Sequence, residues 1–539
     1  MVLFNSCRKA EEKVLPENHQ PQKVQNRLGV QLKNPYKKTL MDSAYQLVKE
    51  NNPDLPNLII KTTHLYVKFS PLDSLQAEAL SCDTLFSLYN YPLDYKYEVG
   101  QDPDEFYEPA EDRMKNKLPP VQYASIPVGY TMPLNIPYEV LAELYIPDLD
   151  KTISDEQGVK TEYETVVDSL EIRAFNLTGN DIDEEDEQIA GRPTTKSHRR
   201  RFNPAGRVQR EDNVIGTVPV HGCKVRARRW FNTQTTLTDV NGNYNITYRF
   251  RRPVNYSIDW SRNDFAIRRS QWFGAYYRGP KRRGNWNPNF SRSLNERQLH
   301  FATIFQAAHD YYYNRMVDIR TPPVKRWLRK LVISAMERNS SDSGATGDFA
   351  AWRWWISWPD IRIFNPGAQT QDTYATTIHE LAHASHWAMN NVPLYCVRSV
   401  VVESWARAVE IMFTSQRYRN YGMVNFLYGG GWQDVPSSNA NIMRGYTQVG
   451  FDLVDDQNQR FVRANRNINE DRLFANDNVT GFTLREVENA VRNARTLEDW
   501  RNAMVNINPN IRAIDLNELF NFYMNLNISA CPGCFMCTY

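Results

Sequence analysis

Tyr374-Ala-Thr-Thr-Ile-His379-Glu380-Leu-Ala-His383-Ala-Ser-His386-Trp387 is the stretch whose reading decides the fold. On a helix, His379 and His383 lie about 40° apart around the axis and roughly 6 Å along it, so both imidazoles can reach one metal ion. Zinc is the natural ion for such a pair. Glu380 stands beside the first histidine, where its carboxylate can take a proton from water that zinc has acidified to a pKa of about 7. The flanking Ala375, Ile378, Leu381, Ala382, Ala384, Trp387 and Ala388 are apolar, as a helix buried behind a cleft requires.

A third ligand is needed, and Val400-Val-Val-Glu403-Ser-Trp405-Ala-Arg407-Ala-Val-Glu410 offers one on a second apolar-rich helix. Glu403 falls 20 residues after His383, room for a loop and an antiparallel return. Glu410 competes with it, but its later position suits a supporting or solvated carboxylate. His386 shares the helical face of His379, yet sits about 10 Å further along the axis and is expected to be a buried neighbour rather than a ligand.

This pattern resembles the gluzincins, the thermolysin-like zinc metallopeptidases, in which the two histidines of HExxH and a glutamate from the following helix hold the metal. The resemblance covers roughly residues 293 to 450. Leu299 to Arg315, with its Asp310-Tyr-Tyr-Tyr ending, is similar to the long helix preceding the active-site edge strand; Ala350 to Trp358 and Ile361-Arg-Ile-Phe364 would be that edge strand and its neighbour. A metzincin would carry Gly and His where this chain has His386 and Met389. Two departures stand out. Arg407 occupies the place where the family carries a carboxylate that orients a ligand histidine, and no histidine follows His386 to stabilise an oxyanion. By the resemblance, Tyr395 or Tyr446 would donate to the oxyanion instead, alongside Glu380 as the catalytic base.

At 539 residues the chain is long enough for several domains, and its 41% hydrophobic content suffices to build their cores. Basic (64) and acidic (62) side chains nearly cancel, which argues against a polyanionic partner such as nucleic acid. No run of 18 apolar residues occurs, so no membrane-spanning helix is expected. The seven cysteines are scattered and odd in number, unlike a disulfide framework. Leu3-Phe-Asn-Ser-Cys7 resembles the end of a bacterial lipoprotein signal, which implies a lipidated Cys7 tethering the chain to the cell envelope, or a secreted protein.

Upstream of the histidine helix, His64-Leu-Tyr-Val-Lys-Phe alternates as a strand does, and Thr39 to Lys49 has helical spacing. The acidic run at 181–187 and the basic run at 196–201 mark a linker. Lys224-Val-Arg-Ala-Arg-Arg-Trp reads as the solvated face of a strand. Thr238-Asp239-Val-Asn-Gly242-Asn-Tyr244 reads as a turn whose Gly and Asn tolerate positive φ. It resembles the hairpin of the carboxypeptidase-regulatory, transthyretin-like β-sandwich. Ser293 to Glu296 has the spacing of a capping box.

The expected architecture is therefore multidomain α+β. An N-terminal tether (1–35) leads to an α+β domain with its linker (36–200) and a carboxypeptidase-regulatory-like β-sandwich (211–270). A zincin-type metallopeptidase domain (290–530) follows, with an edge-stranded sheet, an active-site helix and a helical lower lobe, and the chain closes on a tail bearing Cys531, Cys534 and Cys537. The expected activity is zinc-dependent hydrolysis of a peptide or protein substrate, with zinc on His379, His383 and Glu403. The alternative is an envelope-tethered protein- or glycan-binding protein with an inactive or structural zinc site.

Overall fold

Tyr66, Val67 and Phe69 alternate along one strand and are all buried, which requires a covered surface on both sides of their sheet. That strand, β1 (His64–Phe69), is the centre of an antiparallel sheet between β2 (Gln122–Pro127) and β3 (Tyr138–Leu144). Tyr66 faces a core shared with helices α1 (Lys38–Asn51) and α2 (Lys160–Thr178), while Val67 and Phe69 face a smaller core on the other side. The computed structural model describes residues 30–81, 83, 85–96, 113, 116, 118–149, 160–180, 201–269, 273–314, 316–322, 330–341, 345–350, 360–390, 394–421, 447–462, 467–507 and 513–526. Cys7, the charged runs between 181 and 200, Trp352 to Trp358, Tyr446 and the cysteine tail lie outside them. The last residues of the expected tether are structured: Val30–Gln31 pairs with Tyr95–Lys96.

A second antiparallel sheet follows. Strand β4 (Lys224–Arg229) turns tightly into β5 (Asn232–Leu237) and pairs on its other side with β6 (Val254–Asp259). The chain then leaves this sheet as β7 (Phe265–Arg268) and returns to it as β8 (Tyr276–Arg282), next to β6. Strand pairing thus disregards the boundary expected at residue 270, because β7 belongs to the next sheet. The Asp239–Gly242 turn forms as read: Asp239 Oδ1 accepts from the backbone N–H of Asn241 and Asn243, and Gly242 adopts φ +77°. Beyond it, Asn243–Asn245 pairs with Ala205–Arg207.

The arginines of β4 correct a sequence expectation. Arg226, Arg228 and Arg229 are buried rather than solvated, because the N-terminal region covers them. Arg226 pairs with Asp259 at 2.5 Å and lies over the rings of Tyr89 and Tyr276; Arg228 donates to the carbonyl oxygen of Leu93. At the β4–β5 turn, Trp230 takes φ +51°, and its ring packs edge-on against Phe175 of α2. Arg251 completes the junction, reaching Asp148 (2.9 Å), Asp168 (2.7 Å) and Glu171 (3.1 Å).

The third architectural element is a mixed sheet. Its central strand, β9 (Leu331–Ala335), is buried at every position and runs parallel to β7 on one side and to β11 (Ile361–Ile363) on the other. Strand β10 (Gly347–Phe349) pairs antiparallel with β11 and closes the sheet at its edge. The edge strand therefore begins three residues before the expected Ala350, and β11 is its neighbour as expected. Helices α3 (Arg292–His309) and α4 (Thr370–Met389) pack against this sheet and each other. The start of α3 differs from the expected Ser293–Glu296 capping box. Asn295 leaves helical geometry and its side chain accepts from the N–H of Gln298, while Glu296 pairs with Arg292. Helix α5 (Ser399–Tyr418) lies along α4, and α6 (Val449–Asp452), α7 (Leu484–Val491), α8 (Leu497–Ile507) and α9 (Ala513–Met524) fill the space beyond it. One continuous apolar core runs from Val208 to Tyr523 through the second sheet, the mixed sheet and these helices. Among the described residues no helix is long and apolar enough to cross a membrane.

Removing one partner from a buried ionic cluster strands the others without compensation. Arg251→Ala is expected to lower the unfolding free energy by about 3–5 kcal/mol, read from denaturant titration of the full chain.

Candidate metal centre

Helix α4 is buried along most of its length by Tyr374, Ile378, Leu381, Ala382 and Ala384, and this burial fixes the direction in which its two histidines point. Helix α5 presents Glu403 toward them from a turn packed by Val401, Trp405 and Val409. The helices run antiparallel. His383 meets Glu403, while His379, one turn earlier, touches both Glu403 and the later Glu410.

The three expected ligands converge. His379 Nε2 and His383 Nε2 are 3.0 Å apart, and Glu403 Oε2 lies 3.3 Å from the first and 3.5 Å from the second. Tetrahedral ligands at about 2.0–2.2 Å from zinc stand roughly 3.3–3.6 Å apart, so these donors already trace one face of such a polyhedron. Two imidazole nitrogens and a carboxylate oxygen form the donor set of a borderline-soft divalent cation.

Of the two roles expected for Glu410, supporting or solvated, the structure shows the supporting one. His379 Nδ1 lies 3.0 Å from Glu410 Oε2, which turns the ring so that Nε2 faces the ligand cluster. Arg407 donates to both oxygens of Glu410 at 2.6 and 2.5 Å. The arginine at the place expected to hold an orienting carboxylate thus anchors another carboxylate that does this work from one turn further on. The signal lay in the spacing: Glu410 is seven residues, close to two full turns, after Glu403 and shares its face.

Electrostatics follow from burial and these contacts. Burial disfavours the imidazolium of His379, but hydrogen bonds to Glu403 and Glu410 outweigh it and raise the group to about 10. Burial also disfavours ionised Glu403, yet His383 and His379 hold its carboxyl well below the usual range. Glu380 behaves oppositely: burial raises it to about 7 against the pull of His383 and His379. His386 is fully buried, and burial lowers it to about 3. Its Nε2 lies 3.5 Å from Asn390 Nδ2, and the ring stands outside the ligand group.

Strand β10 forms the wall beside Glu380. A Cβ placed on Gly347 would come within 2.7 Å of Glu380 Oε1 and 2.6 Å of Thr376 Cγ2, so only glycine permits the strand this approach. In sequence, Gly347 ends the Ser- and Gly-rich run 339–347, which reads as a loop and gives no sign of this contact. Asp348, gripped by Arg362 through a bond from Nε at 2.9 Å, adds a negative charge near Glu380. Tyr395 falls in the short turn Leu394–Cys396, with its side chain outside the described set; Tyr446 lies outside the described residues. Cys396 is disulfide-bonded, and Cys223 is free.

No protein-family model and no curated protein matches the chain. Among solved structures, a 9R-lipoxygenase from Cyanothece PCC8801 matches at 12% identity and a TM-score of 0.11, over 25% of this chain and 27% of its own length. A similarity this slight and partial carries no argument about fold or activity.

Glu410→Gln is expected to weaken metal binding at the His379–His383–Glu403 cluster by about 10–100-fold, because the imidazole loses its charged partner. Competition with a chromogenic chelator measures this, and Glu403→Ala in the same assay sets the value for loss of a direct ligand.

Proposed function

We propose that the chain is a zinc-dependent peptidase of the gluzincin type, with a transthyretin-like β-sandwich accompanying its catalytic region. The observation that carries this reading is the buried Glu380 carboxylate, set between the three converging donors and a sheet-edge strand. His379, His383 and Glu403 would hold the metal. Zinc bound there supplies Lewis acidity that polarises a peptide carbonyl and makes water easier to deprotonate.

Glu380 is the proton carrier in this reading. Its raised affinity for protons suits a base that accepts one from water at neutral pH and releases it to the departing amine. A purely structural metal site has no need of a buried, unneutralised carboxylate beside its ligands. Strand β10 offers the backbone of a sheet edge, to which an extended peptide can add as a further strand. Glu410 and Arg407 keep the His379 ring in register. The oxyanion donor of the proposal is Tyr395 or Tyr446.

The disulfide at Cys396 supports an oxidising compartment, in keeping with a secreted or envelope-tethered protein. The near-balance of charge favours a peptide or protein substrate over a polyanion.

Two variants test the assignment on purified full-length protein digesting a peptide library. Glu380→Gln should abolish cleavage while retaining one zinc by metal analysis; undiminished turnover would remove Glu380 from the proposed role. Gly347→Ala should push against Glu380 without touching a ligand, lowering kcat by roughly 100-fold while metal affinity stays at the wild-type value. Removal of zinc by chelator should abolish cleavage in the wild type, and readdition should restore it.

A further inference from the structure

A second group of potential ligands lies on the far side of α5. Asp452, at the end of α6, with Asp455 and Asp477, brings one carboxylate oxygen from each to within 4.8 Å of the others. Asp452 is fully buried and Asp477 is 4% exposed. Crowding three acids in this way opposes their ionisation. Burial and then the facing Asp455 carboxylate raise Asp477 to about 8.

The orphaned atom is Asp477 Oδ2. Oδ1 of the same carboxylate accepts from the N–H of Val479 at 3.0 Å, but Oδ2 is buried against the cluster without any hydrogen-bond partner. A buried carboxylate oxygen with no donor is costly, and native folds avoid it unless a ligand supplies the missing partner. The remaining donors nearby are also oxygens. Asn458 holds the amide oxygens of Asn476 and Asn478 at 2.9 and 3.2 Å, on the two residues flanking Asp477, and Tyr523 of α9 donates to Asp452 at 2.5 Å.

We propose that Asp452, Asp455 and Asp477 form a binding site for a hard divalent cation, calcium by its chemistry, separate from the histidine centre. An all-oxygen set without imidazole or thiolate selects calcium over zinc. Oxygens on opposite sides of a calcium ion stand about 4.6–5.2 Å apart, so the spacing admits the ion with little movement. Bound there, the ion cross-links α6, the segment around Asp477 and, through Tyr523, α9.

That cross-link bears on the histidine centre through packing. Helix α6 lies directly on α5: a Cβ at Gly450 would come within 3.0 Å of Ala408 Cβ. Thr447, just ahead of α6, bonds to Ser404, the neighbour of Glu403, at 2.7 Å through its N–H and at 2.9 Å through its hydroxyl. Calcium therefore braces the back of the helix that carries Glu403.

The test is calcium titration of the full chain by calorimetry, with thermal unfolding followed in parallel. Wild type should bind one calcium and show a Tm that rises with calcium concentration. Asp477→Asn should bind calcium at least about tenfold more weakly and lose the calcium-dependent rise. Without calcium, its Tm should equal or exceed that of wild type, because an amide N–H facing the neighbouring carboxylates replaces an oxygen that had no donor. Should that variant fail to fold, the more exposed Asp455→Asn carries the same readout. Glu403→Ala should keep the calcium response in full, which separates this site from the histidine centre and from any peptidase activity. Folded wild type showing neither heat nor Tm change up to about 10 mM calcium would overturn the proposal, as would an undiminished response in the Asp477→Asn and Asp455→Asn variants.

Discussion

The contact that the rest of the fold must hold in place is that of Glu403 on α5 with the imidazole pair on α4. Two ring nitrogens 3.0 Å apart with a carboxylate oxygen 3.3 and 3.5 Å away concentrate polar atoms that would each prefer water. Such an arrangement persists only when packing elsewhere imposes it. The imposing contacts lie toward the other end of the helix pair. Tyr374 on α4 donates to Asp310 at 2.9 Å, and Arg417 on α5 reaches both Asp310 (3.1 Å) and Asp212 (3.4 Å). Asp212 also accepts from Tyr418 and pairs with the fully buried Arg210. Both helices are thereby tied to the end of α3 and to the strand Gln209–Asp212. The antiparallel alignment that brings Glu403 opposite His383 is a consequence of that tie.

Ionic clusters of this kind recur wherever parts of the chain meet. Arg251 with Asp148, Asp168 and Glu171 joins the N-terminal region to the second sheet, as does the Arg226–Asp259 pair against Tyr89. A net charge of +2 conceals this, because it sums groups that act in opposed pairs. Buried pairs contribute little net stability against apolar replacements, but a misplaced partner is heavily penalised. They therefore fix orientation between regions more than they add adhesion. The apolar core running from the second sheet to α9 supplies the adhesion.

How much of this was legible in sequence follows from the range of each determinant. His379, His383 and Glu403 were legible because helical spacing is a local property and the glutamate needed only a turn and a return helix. Glu410 was equally local, and its place two turns after Glu403 allowed a supporting role, whereas the grip of Arg407 on it could be known only from the fold. The β4 arginines were misread for a different reason: alternation along a strand reports two faces but not what covers each. Their burial is decided by Tyr89, Tyr91 and Leu93, more than a hundred residues earlier. Gly347 was illegible in the same way, since a glycine near a Ser- and Gly-rich run signals a loop until the approach of Glu380 is known. The mixed α+β character followed from the patterning, whereas the departure of β7 into another sheet is a pairing choice that no single strand encodes.

The two carboxylate environments flanking α5 show how the same residue type is put to different ends. On the cleft side, each acid has a partner that decides its charge: Arg407 and His379 keep Glu410 ionised, the imidazoles keep Glu403 ionised, and burial leaves Glu380 exchanging its proton near neutrality. On the opposite side, Asp477 faces Asp455 and keeps one oxygen without a donor. A helix held between a pre-shaped ligand set and an under-compensated acidic cluster has its position set from both sides by electrostatics. Its apolar stripe of Val401, Trp405, Ala408 and Val409 resists the displacement that either side alone would produce. The two environments are joined by packing, through Gly450 against Ala408 and Thr447 bonded to Ser404.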